Sequence, residues 1–141
     1  MNYFHLSRNV KLIAVVCSVL LLSACAAATV DKKNQIEDRA MGRWDALLTG
    51  DFAGAYEYLT PGTRSSISLM QYQRSILRKQ VKWTSAKYNK SECEETTCKV
   101  TISLGFTVYG ALPGVRSFEG TQDISESWVL LDGNWYYVPE Q

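Results

Sequence analysis

The sequence predicts an α+β domain, in which N-terminal helices pack on a curved antiparallel four-stranded sheet. Three observations predict it. Apolar residues recur at helical spacing from Ile36 to Gln80. From Val81 onward the period falls to two. Two turn signals, Glu94-Glu95-Thr96-Thr97 and Asp132-Gly133-Asn134, each join two strand-length runs.

A leader precedes that domain. Arg8 and Lys11 are followed by an apolar run from Leu12, which ends in the small residues Ser23 and Ala24 before Cys25. Charged start, apolar middle and small residues at a cut site are the form of a secretory signal. The run is short for a membrane span of about 20 residues, and Asp31 comes before Lys32 and Lys33, so no cationic stop-transfer flank follows at once. The stretch Leu22-Ser23-Ala24-Cys25 resembles the lipobox of bacterial lipoproteins, in which the Cys thiol is acylated and becomes the mature N-terminus. The resemblance implies a signal peptide over 1–24, membrane lipid attached at Cys25, a tether ending at residue 30, and one domain over 31–141. In such proteins an Asp after the acylated Cys favours inner-membrane retention. Ala26 stands there, which implies the outer membrane, on its periplasmic face. Residues 26–30 reach roughly 20 Å when extended at about 3.5 Å each, so the domain stays near the bilayer.

Charge excludes one class of partner. The leader holds only two of the 15 basic side chains and none of the 14 acidic ones, so the remainder is close to neutral. Nothing in that balance suits nucleic acid. Of four Cys, Cys17 lies in the leader and Cys25 is the lipid site. Cys93 and Cys98 remain, in a chain exported to an oxidising space, and a disulfide is expected. Closing so small a loop stabilises by roughly 2 kcal/mol in the chain-entropy model. Two Cys do not make a zinc site, and the single His, His5, leaves with the leader. No metal and no cofactor is expected.

The elements follow in order. Asp31 caps a first helix that runs to Thr49, with Ile36, Ala40, Trp44, Leu47 and Leu48 on one stripe. Gly50 stops it and Asp51 caps a short second helix, whose apolar face is Phe52, Ala55, Tyr56 and Leu59 and which ends at Pro61-Gly62. Ser68 and Gln71 form a capping box that starts a third helix, with Leu69, Tyr72, Ile76 and Leu77 as its periodic positions. Val100, Ile102, Leu104, Phe106 and Val108 then alternate with polar residues as a half-buried strand. Its hairpin partner runs from Lys82 to Cys93. Direct pairing of Cys93 with Cys98 would turn Lys87 to the core, which is costly. A β-bulge in the first strand would return Tyr88 and Ala86 to the core side and is expected. Leu112-Pro113-Gly114-Val115 turns into a third strand over 117–131, and Trp135–Val138 is the last.

The stretch from Arg43 to Tyr56, with its Gly50-Asp51-Phe52 break, resembles the opening of the nuclear-transport-factor-2-like (cystatin-like cone) superfamily. The terminal hairpin from Trp128 to Tyr136 is similar to that group's closing hairpin. The resemblance implies a cone-shaped pocket between helices and sheet. Phe106, Gln122, Ile124, Glu126 and Trp128 would face it from the strands, and Trp44, Tyr56 and Tyr72 from the helices. Large side chains close small cavities readily, so a filled cone is the expectation, with a ligand pocket as the alternative. Enzymes of the superfamily that resemble ketosteroid isomerase use a pocket carboxylate as base. Glu126 would be that base here, with Tyr56 or Tyr72 as donor, although a rim acid paired with Arg or Lys is the more ordinary expectation. Without a His after His5, a nucleophilic Cys or a phosphate loop, catalysis is not expected.

Two surface features remain. Every charge between Thr60 and Ser91 is positive, and Arg74, Arg78 and Lys82 share one helical face, with Lys79 beside them. That is either a solvated face or a basic surface for anionic headgroups or an acidic polymer. The loop from Tyr109 to Arg116 carries an apolar tip that either touches a partner or folds over the open end of the domain. Together these features predict a membrane-anchored, periplasm-facing, non-catalytic binding or accessory module of the bacterial envelope. Its partners would be an envelope protein or a small apolar ligand. The alternatives are a pocket enzyme using Glu126 and a structural module that dimerises through its sheet.

Overall fold

The computed structural model describes residues 35–79, 81–112 and 115–140. The leader, Cys25, the expected cap Asp31 and the Pro113-Gly114 turn lie outside the described residues. The architecture is α+β: helices first, then one open antiparallel sheet.

The first helix, α1, covers 35–49. It buries Ile36, Ala40, Trp44 and Leu47, as the helical stripe predicts, while Leu48 is half-buried. Arg43 lies on the same stripe and is buried too, with 6 % of its surface exposed. Gly50 ends the helix at φ +78°, a conformation that favours glycine because it has no Cβ. Asp51 then caps α2 (Phe52–Tyr56), its carboxylate accepting from Gly54 N at 2.8 Å.

Pro61-Gly62 does not end the second helix. It opens a separate one, α3 (Pro61–Ser66), with Thr60 as N-cap and Pro61 in the first turn. Proline suits that place because its missing N–H would have no helical partner there. Leu59 therefore leaves α2 and forms a parallel bridge with Tyr137. It is fully buried all the same. Helix α4 (Leu69–Leu77) begins with the expected capping box of Ser68 and Gln71. Only Tyr72 and Ile76 of its periodic positions turn inward. Leu77 is 62 % exposed and Leu69 38 %, so the apolar stripe predicted for this helix is narrower than its sequence suggests.

Four strands form a meander, with β1 (Val81–Cys93), β2 (Thr97–Leu112), β3 (Val115–Leu131) and β4 (Asn134–Val138) side by side in that order. Cys93 pairs with Cys98 in register and the two form a disulfide. The expected bulge is present between Tyr88 and Lys90, and it sets Tyr88 opposite Ile102 and Ala86 opposite Leu104. A second shift between Trp83 and Ser85 was not predicted; it brings Trp83 opposite Phe106. Bulges increase local twist, which bends β1 around the helices. At the β3–β4 turn, Asp132 (φ 49°) and Gly133 (φ 79°) are both left-handed, as a two-residue type I′ hairpin requires.

The core lies between α1, the α2–α3 connection and the inner sheet face. Val100, Ile102, Leu104 and Trp128 come from the sheet, Trp135 from β4, and Ile36, Ala40 and Leu47 from α1. Burying each large side chain stabilises by about 1.5–3 kcal/mol. Those contacts hold α1 fixed over β3, and that fixes the site below.

Candidate functional site

Along β3, Ile124, Glu126 and Trp128 alternate onto the face that meets the helices. Glu126 therefore sits among apolar groups, opposite Val100 on β2, with 2 % of its surface exposed. It is not a rim acid. An unpaired carboxylate there would be costly, and the fold supplies three N–H donors. Arg43 donates from Nη1 to Oε1 at 2.6 Å, and Trp44 Nε1 donates to the same oxygen at 2.9 Å. Trp128 Nε1 donates to Oε2 at 3.2 Å. The Arg43 guanidinium also lies over the Tyr137 ring, 3.7 Å from its centroid. Tyr137 in turn packs on Trp128 at 5.8 Å between centroids. One ion pair is thus enclosed by three aromatic side chains. Burial pushes the Glu126 carboxyl above its ordinary value, and the Arg43 charge and the three N–H donors pull it back.

Beside this pair is a cavity of about 550 Å³, so the interior is not filled as the large aromatic side chains suggested. Its buried floor is Arg43, Trp44, Tyr72, Leu104 and Glu126. Its apolar wall is Leu47, Ile67, Ile76, Trp83, Phe106 and Ile124, and the exposed residues Lys79, Gln122 and Glu140 mark the mouth. Trp83 stands edge-on to Trp44 at 5.1 Å. The volume is in the range of small-molecule sites. Arg43 Nε and the Tyr72 hydroxyl are enclosed without a hydrogen bond of ordinary length, and the Arg43 side chain is the hydrogen-bonding neighbour of that hydroxyl. Burial also pushes the Tyr72 phenol above its ordinary value, against the Arg43 charge.

Of the residues expected around a pocket, Trp44, Tyr72, Phe106, Gln122, Ile124 and Glu126 line the cavity. Two do not. Trp128 is fully buried behind Glu126 and acts on it rather than on the open space. Tyr56 packs against Tyr72 at 5.7 Å, and its hydroxyl lies 2.9 Å from Arg64 O and 2.7 Å from Ile67 O, donating across the α3–α4 connection. It holds the helix that carries Tyr72. Arg43 was missed. The available signal was an arginine on a buried helical stripe, three residues after Ala40, facing a chain with one acid on the inner face of β3.

A carboxylate offers about four acceptor sites, and Glu126 has three filled. It is a fixed half of an ion pair, poorly suited to taking a proton from a substrate. The floor instead sets buried polar side chains beside an apolar wall.

No protein-family model matches the chain, and no curated protein matches it in sequence. Among solved structures it is similar to a SEC-C motif-containing protein from Rhodopseudomonas palustris, with a TM-score of 0.52 and 15 % identity over 69 % of this chain and 70 % of that one. At that identity the likeness is one of fold alone.

Proposed function

We propose that this chain is a lipoprotein of the bacterial envelope, held on the periplasmic side of the outer membrane through acylated Cys25, and that its domain is a non-catalytic binding module. The domain is of the nuclear-transport-factor-2-like cone type, and its cavity takes a small, mostly apolar molecule bearing a hydrogen-bond acceptor. The observation that carries the binding reading is the open volume of about 550 Å³, with an apolar wall over the polar floor residues Arg43, Tyr72 and Glu126. Lys79 at the mouth is an exposed donor for that acceptor. The lipobox-like stretch Leu22–Cys25 carries the anchoring.

The binding reading is tested on the full chain purified from its own membranes in mild detergent. Native mass spectrometry should show one small molecule bound, extractable into organic solvent. Ile124→Trp, which fills the cavity, should remove it. A wild-type protein that carries nothing, and whose melting temperature no apolar acid, ester or amide raises, would end this reading. Anchoring is read separately: palmitate should label the wild type, and Cys25→Ser should leave it unlabelled.

A further inference from the structure

The helix that contributes Tyr72 and Ile76 to the cavity has a second face. Met70, Arg74, Leu77 and Arg78 recur at spacings of three and four on the outer side of α4. Met70 and Leu77 are 64 % and 62 % exposed. Two large apolar side chains and two arginines thus alternate over one convex surface. Arg74 Nη2 lies 3.1 Å from Met70 Sδ, so the guanidinium and the thioether share one patch.

The stretch of sequence that carries this face has charges of a single sign. No Asp or Glu occurs between residues 58 and 91, while Arg64, Arg74, Arg78, Lys79, Lys82, Lys87 and Lys90 all do. Two of these are neutralised: Arg64 by Glu57, and Lys90 by Glu92 at 2.7 Å. Among the described residues Arg74, Arg78, Lys79 and Lys82 make no ion pair. Lys82 does not share the helical face that its spacing predicts, because α4 ends at Leu77 and Lys82 stands in strand β1. Lys79 is shared between regions, because it also stands at the cavity mouth with its Nζ 5.5 Å from the Trp83 ring centroid.

We propose that the outer face of α4 rests on an anionic lipid surface, with Met70 and Leu77 entering the headgroup layer and Arg74 and Arg78 against lipid phosphates. Three features favour lipid over an acidic protein. The face is a convex helix without a groove, whereas a protein partner recognised through a helix meets complementary pockets. Its apolar side chains are interspersed with cations, the pattern of helices that lie in the plane of a bilayer interface. The expected tether, residues 26–30, reaches roughly 20 Å when extended at about 3.5 Å each. A domain held within that distance meets the surface at high effective concentration, so a short face suffices. The inference rests on the anchoring reading but not on the ligand. With α4 seated, Lys79 and the cavity mouth lie beside the headgroups.

The test uses the acylated full chain in vesicles, with a nitroxide at Leu77→Cys on α4 and, as control, at Ser127→Cys on the far face of the sheet. Flotation with neutral phosphatidylcholine vesicles reports the anchor. Accessibility of the label to a water-soluble nickel complex reports the face. In vesicles containing phosphatidylglycerol the Leu77→Cys label should lose that accessibility, and in phosphatidylcholine alone it should keep it. Raising salt to about 1 M, where screening acts within about 3 Å, should restore it, and so should Arg74→Glu with Arg78→Glu. The Ser127→Cys label should stay accessible throughout. A chain that floats while its Leu77→Cys label reads the same on neutral and anionic vesicles overturns the proposal and leaves the anchor standing. Shielding seen only in whole envelopes, and not in protein-free anionic vesicles, overturns it in favour of a protein partner.

Discussion

Arg43 and Arg74 carry the same guanidinium and live under opposite rules. Arg43 is buried between Glu126 and the Tyr137 ring, where every lost partner is felt. Arg74 stands on an exposed helix face with a thioether as its nearest partner and no carboxylate bound to it. A charge in the first setting is part of the folded structure, because the desolvation cost is met only by its counter-charge. A charge in the second setting is solvated at little cost and remains available to something outside the molecule. The two regions adjoin, since α4 lines the cavity on one side and presents Arg74 and Arg78 on the other.

The sharpest way to break this contrast is to remove one partner of the buried pair. Arg43→Met should destabilise the domain by about 3–5 kcal/mol, because it leaves Glu126 buried without a counter-charge. Adding Glu126→Leu should recover most of the loss in urea unfolding. If the double variant is no better than the single one, the pair is not the unit argued for here.

The second test is pH. The folded-state pKa of Glu126 is raised above its ordinary value of 4.5, chiefly by burial. Below that value both folded and unfolded chains hold the proton. As pH rises above it the unfolded chain releases its proton first, so the folded state loses stability relative to it until the folded group also ionises. The urea midpoint of the wild type should therefore fall across that window relative to Glu126→Gln, which has no such proton. A difference that grows the other way would mean that the Arg43 pull outweighs burial.

A smaller effect is expected at Tyr72. Its buried hydroxyl makes no hydrogen bond of ordinary length, so Tyr72→Phe should change stability by no more than about 1 kcal/mol. Ligand recovered in mass spectrometry should fall nonetheless. Loss of stability without loss of ligand would make the hydroxyl structural. Smallest of all, Arg74→Gln with Arg78→Gln should leave the unfolding free energy, read in urea, within about 0.5 kcal/mol of wild type, because neither side chain has a buried partner.

Much of the framework was legible before any coordinates. The capping box at Ser68, the bulge that rescues Tyr88 and Ala86 from a register that would bury Lys87, and the Asp132-Gly133 turn all follow from local chemistry acting over a few residues. Misreadings arose where a local signal had two uses. Pro61-Gly62 breaks one helix and equally well begins another. Leu77 keeps helical time with Ile76 but falls just beyond the buried edge of a narrow stripe.

The site divides along the same line. Alternation along β3 placed Glu126 on the inner face, and periodicity placed Trp44 and Tyr72 on inner helical faces, so the sequence by itself determined which side chains could meet. Whether they would fill the space between them was a matter of angles and distances between α1, α4 and a bulged β1, separated by up to 83 positions in the case of Arg43 and Glu126. Volume left over after packing depends on all of those placements at once, and no short-range pattern encodes it. The ion pair and the open cavity were therefore decided by the tertiary structure.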